Sequence, residues 1–382
     1  MGSMRSVTDR RVWSLTAGLL SYLALAACGG APAVETPNFD PAAQVDALFA
    51  HFTEGIQPGA AVMVIRDGHV AHSAGYGYAE IEGPVPIRAD STFRLGSFSK
   101  QFTAMAIMLL AESGALDYDD PIARYLPELA RYGEDITIRH LLYHQGGLPG
   151  YYADIDTSKG MPSNADALAE LSRKGEPMFP PGERYAYSNP GYDMLAVVVE
   201  AASELRFADF MRQRIFAPLG MNDSLIHDHT GPHIARRVIG YDPDGDGPDG
   251  DGYAENDQHP LNGIVGSGSM FSTLDDLYKW DQALYTETLV SAATLEEAFT
   301  PAKLDNGEDT GYGFGFVISE YRGHRRISHG GSWVGFRTHI ARHPGIGLTL
   351  ILLSNRSDFR SSDYVDPVID AYLDAYSTPS AE

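Results

Sequence analysis

Three short polar segments follow one another along the chain: Ser97-Phe98-Ser99-Lys100, Tyr187-Ser188-Asn189 and His329-Gly330-Gly331. In the first, a hydroxyl and an amine three residues apart share one face of an α-helix, where the amine can take the hydroxyl's proton. The second supplies a phenol and an amide. The third supplies a strand end able to carry a cation, followed by two glycines that let a substrate approach the backbone closely. Together they describe serine acyl transfer. A serine hydroxyl is a poor nucleophile at neutral pH and needs a base within hydrogen-bond reach. Lys100 and Tyr187 are the candidates, and proximity to each other and to a protonated His329 would depress both of their pKa values. Ser97, placed at the N-terminus of its helix, would meet free N–H groups and a dipole that favour an oxyanion.

These groups need rigid elements to hold them. Residues 100–116 are almost wholly apolar with Gly114 near the end, which predicts a buried helix. Residues 40–54 read as a surface helix with Asp40 as N-cap and Pro41 in the first turn. Residues 60–65 and 70–78 flank Asp67-Gly68, a dipeptide suited to a two-residue hairpin. From about 117 to 300, helical runs such as 189–202 and 274–284 alternate with Pro/Gly/Asp-rich loops. Residues 313–319, 325–329, 335–343 and 347–355 then read as strands, with His329 ending one of them, and 364–376 as a closing helix. The pattern predicts an α/β (α+β) fold, with one antiparallel sheet built from both termini, flanking helices and an α-rich insert. The expected division is a hydrolase domain over 39–378, comprising a sheet subdomain (about 39–92 and 301–378) and an α-rich subdomain (about 93–300).

The first residues carry a different message. Arg5, Arg10 and Arg11 precede an apolar stretch that ends in Leu25-Ala26-Ala27-Cys28, similar to the lipobox of bacterial lipoproteins. Residues 1–27 therefore read as an export signal, Cys28 as a lipidation site, and 28–38 as a tether, which predicts a membrane-anchored protein on the periplasmic or cell-envelope side. Cys28 is the sole cysteine, which excludes internal disulfides and argues against thiol catalysis. From Cys28 onward the chain has 25 basic and 50 acidic residues, a formal charge of −25. Such a field repels nucleic acid and anionic membrane surfaces, so any membrane attachment must come from the lipid.

Further stretches, Phe93-Arg94-Leu95-Gly96, residues 140–149 and residues 266–277, join the polar segments in one resemblance. Over about residues 40–376 the chain resembles the serine β-lactamase and penicillin-binding-protein superfamily. It is closest to the class C, D-alanyl-D-alanine carboxypeptidase and family VIII esterase-like branch. The resemblance implies Ser97 as the acylated nucleophile, Lys100 as its proton partner, Tyr187 as general base and Asn189 as a substrate-amide contact. It also implies substrate contacts from His329, Gly330, Gly331 and Ser332, with the backbone N–H groups of Ser97 and Ser332 forming the oxyanion hole. No cofactor is expected. At the third segment His-Gly-Gly stands in place of Lys-Thr-Gly. A lysine is a permanent charge that grips a substrate carboxylate, whereas histidine is largely neutral above a pKa of about 6.5. The change favours ester, amide or peptide hydrolysis over dedicated β-lactamase activity. Alternatives are a D-Ala-D-Ala carboxypeptidase or β-lactamase in which protonated His329 meets the substrate carboxylate, and a non-catalytic cell-wall ligand binder.

Other polar clusters invite weaker readings. His140 and His144, four apart on one helical face, lack the glutamate of a zinc protease and read as a packed helix end, so no metal site is assigned. Asp242, Asp244, Asp246, Asp249 and Asp251 could ligate calcium but lack a matching bidentate glutamate, which favours a solvated acidic loop. Tyr151, Tyr152 and Trp333 can line an acyl pocket or belong to the core.

Overall fold

The computed structural model describes residues 40–228, 231, 233–245 and 252–377. Its organising element is a six-stranded antiparallel sheet. Strands β1 (Ala60–Arg66) and β2 (His69–Tyr76) come from the start of the described chain. Strands β3 (Val317–Tyr321), β4 (His324–Trp333), β5 (Phe336–His343) and β6 (Leu348–Ser354) come from its end. The spatial order is β3-β4-β5-β6-β1-β2, so β1 and β6 close the sheet between the two ends of the sequence. Asp67 and Gly68 both have positive φ, 48° and 77°, as a two-residue hairpin with the right twist requires.

Both faces of the central strands are buried, which explains why β1 and β6 read as unbroken apolar runs rather than alternating ones. On one face Ala60, Val62, Val64, Leu348, Leu350 and Leu352 pack against helices α1 (Pro41–Phe49) and the closing α5 (Ser362–Ser377). Asp40 caps α1 by accepting from Ala42 N–H at 3.0 Å. On the other face Ala61, Met63, Ile65, Ile351 and Leu353 join a larger core containing α2 (Lys100–Glu112), α3 (Asn189–Ser203) and α4 (Leu274–Ala283). Phe102 of α2 stacks on Trp280 of α4 at 4.0 Å, and Trp280 Nε1 donates to Gln101 Oε1 at 3.0 Å. Each buried aromatic or aliphatic side chain of this kind contributes roughly 1.5–3 kcal/mol, so α2 is held on nearly every side.

Two expectations shift, and both bear on the site. The strand expected from residue 313 begins at Val317. Gly313–Phe316 is instead a turn, with Gly313 N–H donating to Phe316 O at 2.8 Å, and Gly315, at φ 78°, leaves no room for a Cβ beside the Lys100 carbonyl. The following strand does not end at His329 but continues to Trp333, because Gly330 and Gly331 keep pairing with His339 and Thr338 of β5.

Candidate active site

Ser97 lies in a 3₁₀ turn, Gly96–Ser99, that runs directly into α2; the α-helix itself begins at Lys100 rather than at the serine. The turn is fastened on two sides. Leu95 N–H donates to Met270 O at 2.9 Å, and Ser99 Oγ accepts from Met270 N–H at 3.2 Å. On the other side β4 is pressed against the turn: a Cβ on Gly331 would stand 1.9 Å from Leu95 O, and one on Gly96 would stand 2.8 Å from Ser332 N. Both positions demand glycine for close approach. Thus the sheet edge and the nucleophile turn share one seam, and Ser97 and Ser332 line a common cleft.

Lys100 is wholly buried. Its Nζ lies 3.2 Å from Ser97 Oγ, 2.8 Å from Asn189 Oδ1 and 2.8 Å from Ser267 O. Burial pulls its pKa down to about 7, with the charge of Asp193 opposing the fall. Asn189 is delivered by the first turn of α3, which is started by Ser188: its Oγ accepts from Gly191 N–H at 3.1 Å, and Pro190 occupies the first turn. Ser188 is therefore the cap that holds its two neighbours in place.

Tyr187 hydrogen-bonds Ser97, and Lys100 Nζ sits 4.9 Å from the centre of its ring. The depressed tyrosine pKa expected from the sequence is not found. Burial pushes the Tyr187 phenol up, so in the free protein it holds its proton.

His329 also departs from expectation. It is buried, its Nδ1 lies 2.6 Å from Gly330 O and its Nε2 lies 2.9 Å from Tyr312 OH. A carbonyl can only accept, so Nδ1 carries the proton and Nε2 accepts from the phenol. Burial and the nearby Lys100 pull the His329 pKa down to about 3. The third segment therefore supplies a neutral imidazole, not a cation.

Several participants escaped sequence reading. Asp193, fully buried in α3, accepts from Tyr151 OH at 2.6 Å, Tyr152 OH at 2.9 Å and Ser267 N–H at 3.1 Å. An acid four residues after Asn189, within the otherwise uncharged run 190–199, was its only signal. Asn164 clamps the Ser267 segment through Val265, accepting from its N–H at 2.7 Å and donating to its carbonyl at 2.9 Å. His144 lies outside the short helix Ile138–Leu142, at φ 58°, so it does not share a helical face with His140. Its Nδ1 accepts from Ser188 N–H at 3.1 Å, and its ring lies 4.4 Å from that of Tyr187. His140 is spent in a capping box with Thr137.

Tyr152 and Trp333 line the cleft while Tyr151 is buried behind it. Among the described residues no three His, Cys, Asp or Glu side chains converge as a metal site. Asp246, Asp249 and Asp251 of the acidic loop, Cys28 and residues 1–39 lie outside the described residues, as do 378–382. Asp242 Oδ2 accepts from Asn256 Nδ2 at 2.7 Å.

This arrangement has counterparts. A penicillin-binding protein of Bacillus subtilis (strain 168) is 37% identical over 340 residues, 85% of this chain and 73% of the relative. A D-aminopeptidase of Gluconobacter oxydans (strain 621H) is 27% identical over 328 residues; the match takes in 82% of this chain but only 58% of the aminopeptidase. The crystal structure of the D-amino acid amidase from Ochrobactrum anthropi SV3 complexed with L-phenylalanine amide superposes with a TM-score of 0.74 at 26% identity, covering 88% of this chain and 99% of that one. Residues 45–374 match the Beta-lactamase family, and with the fold and these relatives they establish that the chain belongs to the beta-lactamase family of serine hydrolases.

Proposed function

We propose that this protein hydrolyses an ester, amide or peptide bond through a Ser97 acyl-enzyme. The observation that carries the reading is the buried Lys100 amine, 3.2 Å from Ser97 Oγ, with a pKa pulled down to about 7. Near neutral pH a good fraction of this amine is uncharged and able to accept a proton. In the proposed reaction Ser97 Oγ attacks the substrate carbonyl while its proton passes to Lys100. The oxyanion is received by the N–H groups of Ser97 and Ser332. Tyr187, which keeps its proton, gives it to the departing amine or alkoxide as the carbon–nitrogen or carbon–oxygen bond breaks, and is reprotonated from Lys100. Water then attacks the acyl-enzyme, releasing the acid and restoring Ser97.

The neutral His329 supports amide and ester substrates over β-lactams, because the site has no permanent charge at the place where Lys-Thr-Gly would stand. Weak β-lactam turnover at most is expected. The test is intact-mass spectrometry after exposure to a fluorophosphonate, a penicillin and an activated ester, beside Ser97→Ala. A single adduct on wild type alone supports the reading; no adduct in folded protein favours a non-catalytic binder. Residues 5–28 support export and lipidation at Cys28, and palmitate labelling lost in Cys28→Ser is the corresponding test.

A further inference from the structure

Two recesses flank Ser97. One is bordered by Tyr185, Tyr187, His329 and Gly330; the other by Arg94, Tyr152, Asn189, Leu261, Ile264 and Trp333. If Tyr187 protonates the leaving group, the leaving group occupies the first recess and the acyl portion occupies the second. Arg94 is then the only arginine or lysine among the described residues that border the acyl recess.

Arg94 is 3% exposed, and its Nε and Nη1 are buried without a hydrogen-bond partner among the described residues. Its guanidinium rests over the Phe271 ring at 5.3 Å. The carboxylate whose charge acts on it is Asp257, but that group is committed elsewhere: it pairs with Arg237 and accepts from Gln258 Nε2 at 3.1 Å and Gly240 N–H at 3.3 Å. Arg237 lies over the same Phe271 ring, at 5.6 Å. Two guanidinium groups and one carboxylate thus leave one positive charge uncompensated. The walls do not compensate it either. Tyr152 OH is bonded to Asp193 and Trp333 Nε1 to Asn262 Oδ1 at 2.7 Å, so both present ring surface to the recess.

A buried guanidinium with two of its nitrogens unpartnered is costly unless a ligand completes it, and its planar fork matches a carboxylate. We infer that Arg94 is a specificity residue that receives an anionic group on the acyl portion of the substrate, so the preferred substrates are amides or esters of short dicarboxylic or acidic acyl groups. The inference rests on the acyl-enzyme reading for its choice of side. A cation in this recess also disfavours a substrate whose acyl portion ends in a free ammonium.

The test compares succinyl and glutaryl p-nitroanilides with neutral butyryl and valeryl p-nitroanilides. Wild type is expected to favour the anionic member of each pair at least tenfold in kcat/KM, Arg94→Gln to lose that ratio, and Arg94→Lys to keep part of it. Equal or better use of the neutral amides by wild type would overturn the inference while leaving the acyl-enzyme reading intact. If no amide is turned over and Ser97 resists a fluorophosphonate, the acyl-enzyme reading fails. The anion site is then decided by thermal shift of the Ser97→Ala protein with succinate against succinamide. A shift with succinate alone upholds it, and equal or absent shifts overturn it. Should Arg94→Gln not fold, protection of wild-type Ser97 from the fluorophosphonate by succinate but not succinamide serves the same purpose.

Discussion

Lys100 and Asp193 are joined through the backbone of a single residue: Ser267 O lies 2.8 Å from Lys100 Nζ, and Ser267 N–H donates to Asp193 Oδ1 at 3.1 Å. The buried carboxylate thereby feels the amine without touching it. Its charge raises the Lys100 pKa against the larger effect of burial, leaving it at about 7. Because the neutral amine is the proton acceptor, kcat/KM should rise with pH and level off above about 7, falling up to tenfold per unit below it. Removing the opposing charge in Asp193→Asn should move that limb to lower pH. The same change leaves hydrogen bonds to Tyr151, Tyr152 and Ser267 imperfectly matched, costing about 1–3 kcal/mol of stability. A pH–rate profile of the variant checks the first effect, and an unmoved midpoint would show that Asp193 does not tune the amine.

Tyr187 gives a sharper separation of roles. A phenol that retains its proton serves leaving groups that need one, so Tyr187→Phe should lower kcat for an amide by roughly 10²–10⁴-fold with little change in KM. A p-nitrophenyl ester expels a stable anion and should suffer much less. Single-turnover rates for the two leaving groups, measured side by side, decide the matter. Equal losses would assign Tyr187 to the attack on the carbonyl instead.

Gly331→Ala probes the seam between the sheet and the nucleophile turn. The added methyl would meet Leu95 O at 1.9 Å and Thr338 Oγ1 at 2.3 Å, and the first of these is backbone that cannot swing aside. Overpacking of this kind costs typically 1–3 kcal/mol or more. Here relief requires β4 to separate from the turn that carries Ser97. Activity should therefore fall at least as far as stability does, with the shortfall in kcat, and calorimetry beside steady-state kinetics will show it.

What the sequence disclosed follows from the distance over which each feature is determined. Ser97 and Lys100 were visible because three residues of helical turn suffice to bring them together, and the Asp67-Gly68 hairpin because its backbone demands are local. The sheet of both termini followed from strand patterns alone. Asp193, Ser267 and Asn164 were not visible, since their roles arise from contacts between segments 41 to 167 residues apart. The charge of His329 was misread for a related reason. Its type permits a cation, but the Tyr312 phenol and the depth of burial that forbid one belong to the folded chain. Likewise β4 outran its expected end because glycine's poor strand propensity was overridden by pairing with β5.

The buried imidazoles make a prediction for the whole molecule. His144, His329 and His343 are almost wholly buried, and burial holds each below the usual histidine pKa, His329 at about 3 and His343 at about 4. In the unfolded chain each titrates near 6.5. Above that value neither state binds these protons and the stability is intact. As the pH falls below it the unfolded state takes them up and the folded state does not, so each histidine drains about 1.4 kcal/mol of stability per pH unit until its folded value is reached. Stability measured by urea unfolding should accordingly drop steeply between about pH 6 and pH 4.5. Substituting His343→Leu, remote from Ser97 in the sequence and outside the two recesses beside it, should make that decline shallower by one proton's worth. An unchanged slope in the variant would mean that His343 charges in the folded protein and that its burial does not keep it neutral.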